Sequence, residues 1–274
     1  MSRPFLKMNG LGNDFAVVEA RSQPFAPTPD EVRAICDRER GVGCDQLIAI
    51  EPSTNADAFM RIWNADGGQV DACGNATRCV AWLLAEASGR NAVTVDTAAG
   101  LLSAARAGDR RISVDMGEPR LRWDQIPLAE EMDTRGIELQ VGPIDAPILH
   151  TPGAVSMGNP HVVFFVPDVD EAPVQGSGSL IEHHPLFPEG VNVGFAEVVA
   201  PGRLRLRVWE RGVGETKACG TGACAAVVAA HRRGKLDRRA TVALPGGELE
   251  IDWRDDGHVI MTGPVAVEFT GTLP

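Results

Sequence analysis

The sequence predicts an α/β (α+β) protein of two similar lobes, in which strands wrap around one central helix per lobe. Three features support this: strand-like runs fill both halves, one apolar helix follows strands in each half, and the halves share landmarks at a constant spacing. The helices are predicted at 75–87 and 221–233, each ended by a glycine. They are apolar nearly all round, which is typical of helices enclosed in a core.

The constant spacing is 146 positions, the separation of Cys73 from Cys219. The same spacing relates Trp63-Asn64 to Trp209-Glu210, Gly12-Asn13 to Gly158-Asn159, and Gln46 to Asn192. Because four landmarks fall in one register, we interpret the halves as one plan used twice rather than as a chance likeness of Gly-rich loops. The Gly/Pro-containing stretch 116–119 predicts the boundary, with an N-terminal lobe over 1–117 and a C-terminal lobe over 118–262.

Strand alternation locates two polar side chains on apolar faces. Strands are predicted at 14–19, 46–51, 58–64, 93–96 and 111–116, and at 161–166, 194–199, 203–210, 241–244, 248–252 and 258–262. Within these, Asn64 and Glu210 share the side of their apolar neighbours. A buried amide or carboxylate is costly unless it is partnered. Since both occupy the same repeat position just before a cysteine, a ligand site is favoured over a structural cap.

Composition limits the classes of function. The chain has 274 residues, 44% of them hydrophobic, and a net charge of −11, so general affinity for nucleic acid or anionic lipid is not expected. No apolar run approaches the length of a membrane span, and the N-terminus lacks the apolar segment of a signal peptide. A cytoplasmic protein without nucleic-acid or membrane partners is therefore expected.

Six cysteines raise the question of disulfides or metal. In a long, cytoplasmic chain free thiols are the better interpretation. Neither Cys73/Cys79 nor Cys219/Cys224 has the spacing of a zinc site, so no metal is expected. The remaining cysteines, Cys36, Cys44, Cys79 and Cys224, are interpreted as small buried residues that fill space.

Cys73 and Cys219 stand at the starts of the two predicted helices. The free N–H groups and positive dipole end found there are expected to lower the pKa of a thiol. The backbone amides of Gly74, Asn75, Gly220 and Thr221 would bind the carboxylate of a ligand. An amino acid placed between the two helix starts would have one sulfur on each face of its Cα.

This arrangement predicts inversion of an amino acid at Cα. A thiolate would remove the proton from one face, and the opposite thiol would return a proton from the other. The charge of the enolate-like intermediate would fall on carboxylate oxygens already held by amides, so no pyridoxal or other cofactor is expected.

The chain resembles the diaminopimelate epimerase family. The motifs that carry the resemblance are MNGLGNDF at 8–15, GVGCDQ at 41–46, WNADG at 63–67, ACGN at 72–75, MGNPH at 157–161, VNVG at 191–194 and ERGVGETKACGTGAC at 210–224. They occur in order along nearly the whole chain. The resemblance implies mixed, barrel-like sheets around the central helices, with a last strand in 263–274 that returns to the first lobe. It also implies a homodimer.

The resemblance further implies residue roles in the interconversion of LL- and meso-diaminopimelate, a small-molecule substrate of lysine and cell-wall precursor synthesis. Cys73 would be the base for the LL-isomer and Cys219 the acid, with His161 and Glu210 tuning the sulfurs. The substrate would be bound by Asn13, Gln46, Asn64, Asn159, Asn192, Glu210 and Arg211. An Arg fork suits a distal carboxylate, and a carboxylate with amide oxygens suits a distal ammonium.

Two other functions stay open on the sequence. A related racemase or epimerase would act on another small amino acid, and a thiol redox or metal-binding protein would use the same two cysteines. Comparing proline, hydroxyproline and diaminopimelate as substrates separates the first. Bound metal or disulfide exchange without isomerisation would indicate the second.

Overall fold

A computed structural model describes residues 3–273, which form two compact units. The first unit contains the residues up to Asp115 together with those from Thr262 onward, and the second contains Met116–Met261. The chain passes from the first unit to the second between Asp115 and Met116. Each unit contains β-strands and one long helix.

The first unit is a mixed sheet with two helices. Its elements are β1 (Arg3–Gly10), β2 (Asn13–Glu19), α1 (Pro29–Cys36), β3 (Gln46–Glu51), β4 (Ala58–Asn64), β5 (Gln69–Val70), α2 (Gly74–Ser88), β6 (Ala92–Thr97), β7 (Gly100–Arg106), β8 (Arg111–Asp115) and the last strand, β19 (Ala266–Leu273). Strand β1 pairs antiparallel with both β19 and β2. The β2–β3 and β4–β6 pairs are parallel, and the β3–β4, β6–β7 and β7–β8 pairs are antiparallel.

The second unit repeats this plan. Its elements are β9 (Gln140–Val141), β10 (Leu149–His150), β11 (Gly153–Ser156), β12 (Pro160–Phe165), α3 (Val174–Glu182), β13 (Asn192–Ala200), β14 (Arg203–Glu210), β15 (Gly214–Thr216), α4 (Gly220–Arg232), β16 (Arg239–Leu244) and β17 (Gly247–Trp253). Strand β18 (Val259–Pro264) begins in this unit and ends in the first. The β12–β13 and β14–β16 pairs are parallel, and the β11–β12, β13–β14 and β16–β17 pairs are antiparallel.

Strand register preserves the 146-residue spacing. The partners Phe15–Gln46, Leu47–Trp63 and Ile62–Val70 of the first unit correspond to His161–Asn192, Val193–Trp209 and Val208–Thr216 of the second. Because a one-residue slip would turn every side chain to the other face, this agreement puts equivalent residues in equivalent positions. The predicted internal repeat is confirmed.

The long helices occupy the cores, as their all-round apolar character predicts. Helix α2 packs against β1, β6, β7 and β8, and α4 packs against β11, β12, β13 and β17. Every residue of 222–230 in α4 is buried. Helix α2 ends at Gly89, whose φ of 68° is the left-handed cap expected for a glycine there.

Helix α1 has a capping box at its start, and α3 is an element that the sequence analysis did not predict. Thr28 and Glu31 form a capping box at the start of α1, with Pro29 in its first turn. Helix α3, by contrast, contains two glycines and two serines among nine residues, a composition of low helix propensity. None of the helices within residues 3–273 is long and apolar enough to cross a membrane.

Candidate active site

Cys73 lies at the start of α2 in the first unit. It is the N-cap residue, with an extended backbone, and its carbonyl accepts from the Thr77 backbone N–H at 2.9 Å. The side chain is half-buried, and its sulfur is 3.7 Å from Asn13 Oδ1. Gly74 and Asn75 form the first turn, where the positive end of the helix dipole favours an anion.

An ionic scaffold fixes Asn13 beside this sulfur. Asn13 Nδ2 donates to Asp45 Oδ2 at 2.8 Å, and Arg38 donates to the other Asp45 oxygen at 2.7 Å. The neighbouring Asp14 is paired with Arg38 and with the buried Lys7. Burial alone would raise the pKa of Asp14, but its hydrogen bonds from Arg38, Lys7 and the Asp45 backbone hold that pKa well below the usual range.

Gln46 and Asn64 meet at the ends of paired strands in the same unit. They are opposite each other in the β3–β4 register, and Gln46 Nε2 donates to Asn64 Oδ1 at 2.9 Å. Among residues 3–273, the buried Gln46 Oε1 has no hydrogen-bond partner. A buried acceptor in that condition is uncommon and suits a donor supplied by a ligand.

Cys219 occupies the equivalent place in the second unit. It caps α4, it is 4% exposed, and its carbonyl accepts from the Ala223 N–H at 3.0 Å. Its sulfur lies 3.7 Å from Thr221 Oγ1. The Thr216 hydroxyl donates to Oε1 of Glu210, whose negative charge acts on the Cys219 thiol.

The expected lowering of the Cys219 pKa is wrong. Burial raises the pKa of the Cys219 thiol well above its ordinary value, and the negative charge of Glu210 raises it further. Hydrogen bonds from Thr221 and the Gly222 amide act in the opposite direction but are outweighed. Burial also raises the pKa of Glu210, against its hydrogen bond from Thr216. The position of Cys219 at a helix start therefore does not determine the direction of its pKa shift, because this thiol is almost fully desolvated.

A hydrogen-bonded chain continues from Thr221 to His161. Asn159 Nδ2 lies 3.3 Å from Thr221 Oγ1, and Asn159 Oδ1 lies 3.1 Å from His161 Nε2. The link from His161 to Cys219 in this unit therefore runs through Asn159 and Thr221. Burial, with a smaller effect from the positive charge of Arg211, lowers the pKa of His161 to about 3, so the ring is neutral at neutral pH.

Arg211 is exposed at the end of β14 and is held by its neighbours. Its backbone N–H donates to Oδ1 of the buried Asn192 at 3.0 Å, and its Nη1 donates to the Glu189 carbonyl at 2.8 Å. It lines an open cleft of about 360 Å³ together with Gly158, the residue before Asn159. A guanidinium in a cleft of this kind can take a carboxylate in bidentate fashion.

The other cysteines are buried, as expected of residues that fill space. Burial raises the pKa of Cys79 to about 12, so it stays a thiol. Cys224 lies in the buried face of α4. The sulfurs of Cys36 and Cys44 are 3.4 Å apart in the core of the first unit.

The predicted residues thus divide between the two units. In the first unit Asn13, Gly74 and Asn75 lie beside Cys73, and Gln46 and Asn64 form a separate hydrogen-bonded pair. In the second unit Gly220, Thr221, Asn159 and His161 follow one another from Cys219, Glu210 acts on the Cys219 thiol, and Asn192 binds the backbone of Arg211. Sequence reasoning missed Asp45, which holds Asn13, and Thr216, which holds Glu210. Asp45 lies within the motif segment 41–46 and Thr216 within 210–224, and membership in these motifs is the sequence feature that could have identified them.

The chain is similar to known proteins over nearly its whole length. A family model described as diaminopimelate epimerase matches residues 5–122 and 153–268. The chain is 64% identical over 274 residues to the diaminopimelate epimerase of Phenylobacterium zucineum (strain HLK1), a match that covers 100% of this chain and 99% of that protein. It is 63% identical over 284 residues to that of Caulobacter sp. (strain K31), covering 100% and 98%.

Solved structures share the fold at low sequence identity. A phenazine biosynthesis protein of the PhzF family from Enterococcus faecalis has a TM-score of 0.72 at 14% identity, with 100% of both chains covered. A hydroxyproline epimerase from Agrobacterium vitis has a TM-score of 0.69 at 17% identity, with 99% of this chain and 91% of that chain covered. These likenesses confirm the predicted fold class and bear on the fold alone.

Proposed function

The chain belongs to the diaminopimelate epimerase family, and we propose that it interconverts LL- and meso-2,6-diaminopimelate with Cys73 and Cys219 as an acid–base pair. It is an isomerase that inverts one Cα centre, in the synthesis of lysine and peptidoglycan precursors. The observation that carries the proposed chemistry is that each cysteine caps a central helix, at equivalent positions of the two units.

Helix starts supply what a Cα carbanion needs. Removing the α-proton moves negative charge onto the carboxylate oxygens, and donors already aimed at those oxygens stabilise the transition state. The first-turn N–H groups at Gly74, Asn75, Gly220 and Thr221 are such donors, and the helix dipole favours an anion at the same place. The scheme calls only on side chains and backbone amides.

Inversion requires one proton-transfer group on each face of Cα, and two cysteines would supply them. For the LL-isomer Cys73 would act as the base. Cys219 would act as the acid, because burial and Glu210 raise the pKa of its thiol and keep the proton on sulfur at neutral pH. In the meso-to-LL direction the roles reverse, and Glu210, whose charge acts on Cys219, would then be the group that takes its proton.

The distal end of the substrate would be recognised by the polar groups beside each cysteine. Arg211, which lines the open cleft, would fork onto the distal carboxylate. The buried acceptor Gln46 Oε1, with Asn64, Asn159 and Asn192, suits the ammonium N–H donors. His161 would keep Asn159 oriented as a neutral hydrogen-bonding partner rather than as a titrating group.

Proton NMR of LL-diaminopimelate with the reduced protein in D2O, without added cofactor, tests the proposal. The expected result is conversion to the meso form with deuterium entering at the inverted Cα. Proline and hydroxyproline, assayed in parallel, should show no exchange. Turnover of either in place of diaminopimelate would favour a related racemase, and the absence of all exchange by folded protein with free thiols would overturn the proposal.

We further propose that the enzyme works in the cytoplasm as a homodimer, as its family resemblance implies. Light scattering on the eluting protein should give twice the mass of the 29.2 kDa chain. A single-chain mass at micromolar concentration would contradict the dimer, and recovery outside the cytoplasmic fraction would contradict the location.

A further inference from the structure

Glu182 is a buried carboxylate at the end of α3, outside the residues already discussed as catalytic or substrate-binding. It is 6% exposed and is the last residue of that helix. Burying a charge is costly without hydrogen-bond donors, and the negative end of the helix dipole opposes a carboxylate in the last turn. The buried Glu182 carboxylate therefore needs hydrogen-bond donors that offset these two costs.

Two donors provide those contacts, one for each oxygen. Trp209 Nε1 donates to Glu182 Oε2 at 2.7 Å, and the Gly212 backbone N–H donates to Oε1 at 2.7 Å. The two donors stand on either side of Glu210 and Arg211 in the chain. The Glu182 side chain thus binds both ends of the four-residue segment 209–212, which contains Glu210 and Arg211.

Helix α3 is shaped to receive Trp209. A Cβ atom added at Gly178 would lie only 2.4 Å from the indole ring, so the ring packs directly on the helix backbone. Gly178 lowers the helix propensity of α3, but its lack of a side chain lets Trp209 reach Glu182. This contact gives a physical reason for a helix of such low propensity.

The position of Arg211 depends on the two hydrogen bonds of Glu182 more than the position of Glu210 does. Glu210 is still within β14, where it pairs with Gly214 of β15 and receives the Thr216 hydroxyl. Arg211 follows the last strand residue and is exposed, so it is fixed by polar contacts at its backbone and side chain. Removing one anchor of the segment 209–212 therefore loosens Arg211 first.

We propose that Glu182 is a positioning residue that sets substrate affinity by holding Arg211 in place through Trp209 and Gly212. The inference rests on the proposed function, in which Arg211 binds the distal carboxylate. Its signature is a change in KM with little change in kcat, because the groups that move the proton are held by other contacts.

The variant Glu182→Gln tests this, since its amide NH2 faces a donor and one of the two bonds is lost. The KM for LL-diaminopimelate is expected to rise at least about tenfold, equal to about 1.4 kcal/mol of binding, with kcat changed less than about threefold. The matched control is Glu197→Gln. Like Glu182, Glu197 accepts a hydrogen bond from a backbone N–H, that of Val169, but its second donor is Arg205. The KM of Glu197→Gln should stay within about twofold of the wild type.

A second pair of measurements shows whether the effect runs through Arg211. In an Arg211→Ala background, Glu182→Gln should add less than about a twofold change in KM, whereas a full additional tenfold rise would overturn the inference. By hydrogen exchange NMR, either the Gly212 N–H or the Trp209 Nε1–H should exchange at least about tenfold faster in Glu182→Gln, because one of the two loses its acceptor. Unchanged exchange at both groups would also overturn the inference.

Trp209→Phe keeps the aromatic packing on Gly178 but removes the Nε1 donor, and it serves if Glu182→Gln does not fold. It should raise KM about threefold or more, and an unchanged KM would overturn the inference. A wild-type protein with no turnover of diaminopimelate would overturn the proposed function. Wild-type turnover with an unchanged KM in folded Glu182→Gln would overturn this inference alone.

Discussion

Glu210, at the end of β14, acts electrostatically on the thiol of Cys219, the N-cap residue of α4. Burial raises the pKa of both groups, and the charge of Glu210 raises the pKa of Cys219 further. The sulfur is therefore a neutral thiol at neutral pH, which is the form a proton donor needs. The four predictions below follow from this pair and its surroundings.

Cys73→Ala and Cys219→Ala should each reduce epimerisation of LL-diaminopimelate by at least about a hundredfold, the usual contribution of a general acid or base. Cys79→Ala and Cys224→Ala are the matched controls, because both thiols are buried within the same two helices. They should keep turnover within a few-fold. Wild-type turnover in either of the first pair, measured by NMR, would exclude the two-cysteine scheme.

Thr216→Val should move the acid limb of the kcat/KM profile to higher pH. Its hydroxyl bond lowers the pKa of Glu210 against the effect of burial, so its loss lets that pKa rise. A hydrogen bond to a charged group contributes about 1.5–3 kcal/mol, which corresponds to a shift of about one to two pH units. Thr97→Val, whose hydroxyl donates to the Gly100 carbonyl in a hairpin, should leave the profile in place. An unmoved acid limb in Thr216→Val would show that Glu210 does not govern it.

Gly222→Ala should reduce kcat about tenfold or more while changing stability little. The added Cβ would lie 3.1 Å from Val208 Cγ2 and 3.2 Å from Cys219 Sγ, so the sulfur must shift by a few tenths of an ångström. Alanine favours the helix by up to about 1 kcal/mol, which offsets part of the crowding. Proton transfer is sensitive to such displacement.

Gly176→Ala is the control for this substitution. Gly176 is also the third residue of its helix, but its added Cβ would meet no atom within 4 Å among the described residues. Its kcat should equal that of the wild type. Equal rates for Gly222→Ala and Gly176→Ala would mean that the Cys219 sulfur has room to adapt.

The sequence predicted the fold from features that repeat or alternate. The Cys73–Cys219 spacing reappears as strand register, and the apolar helices occupy the two cores. The positions of Asn64 and Glu210 on apolar faces also agree with the strands observed. These predictions succeed because the pattern of apolar residues that sets periodicity and burial is visible in short stretches of the sequence.

The missed features depend on contacts between distant segments. Helix α3 has little propensity of its own, and its glycine is explained only by Trp209, which lies 31 positions later than Gly178. The contact of Asp45 with Asn13 likewise joins segments 32 residues apart. The sign of the Cys219 pKa shift depends on how completely the sulfur is desolvated, and a helix-start pattern does not contain that quantity.

His161 should make the stability of the protein depend on pH. Its pKa is lowered to about 3, chiefly by burial, whereas an unfolded histidine has a pKa of about 6.5. A group with a depressed folded pKa contributes stability above the unfolded pKa and loses it as pH falls toward the folded one. Between pH 7 and pH 5 this loss amounts to about 2 kcal/mol.

Urea unfolding at pH 7 and pH 5 measures this contribution. The decrease in unfolding free energy should be smaller by about 2 kcal/mol in His161→Gln than in the wild type. His183→Gln alters a histidine whose side chain is 71% exposed, so it should retain the wild-type dependence on pH. If His161→Gln and the wild type lost the same free energy, His161 would be protonated in the folded protein at pH 5, and its proposed role as a neutral partner of Asn159 would be limited to higher pH.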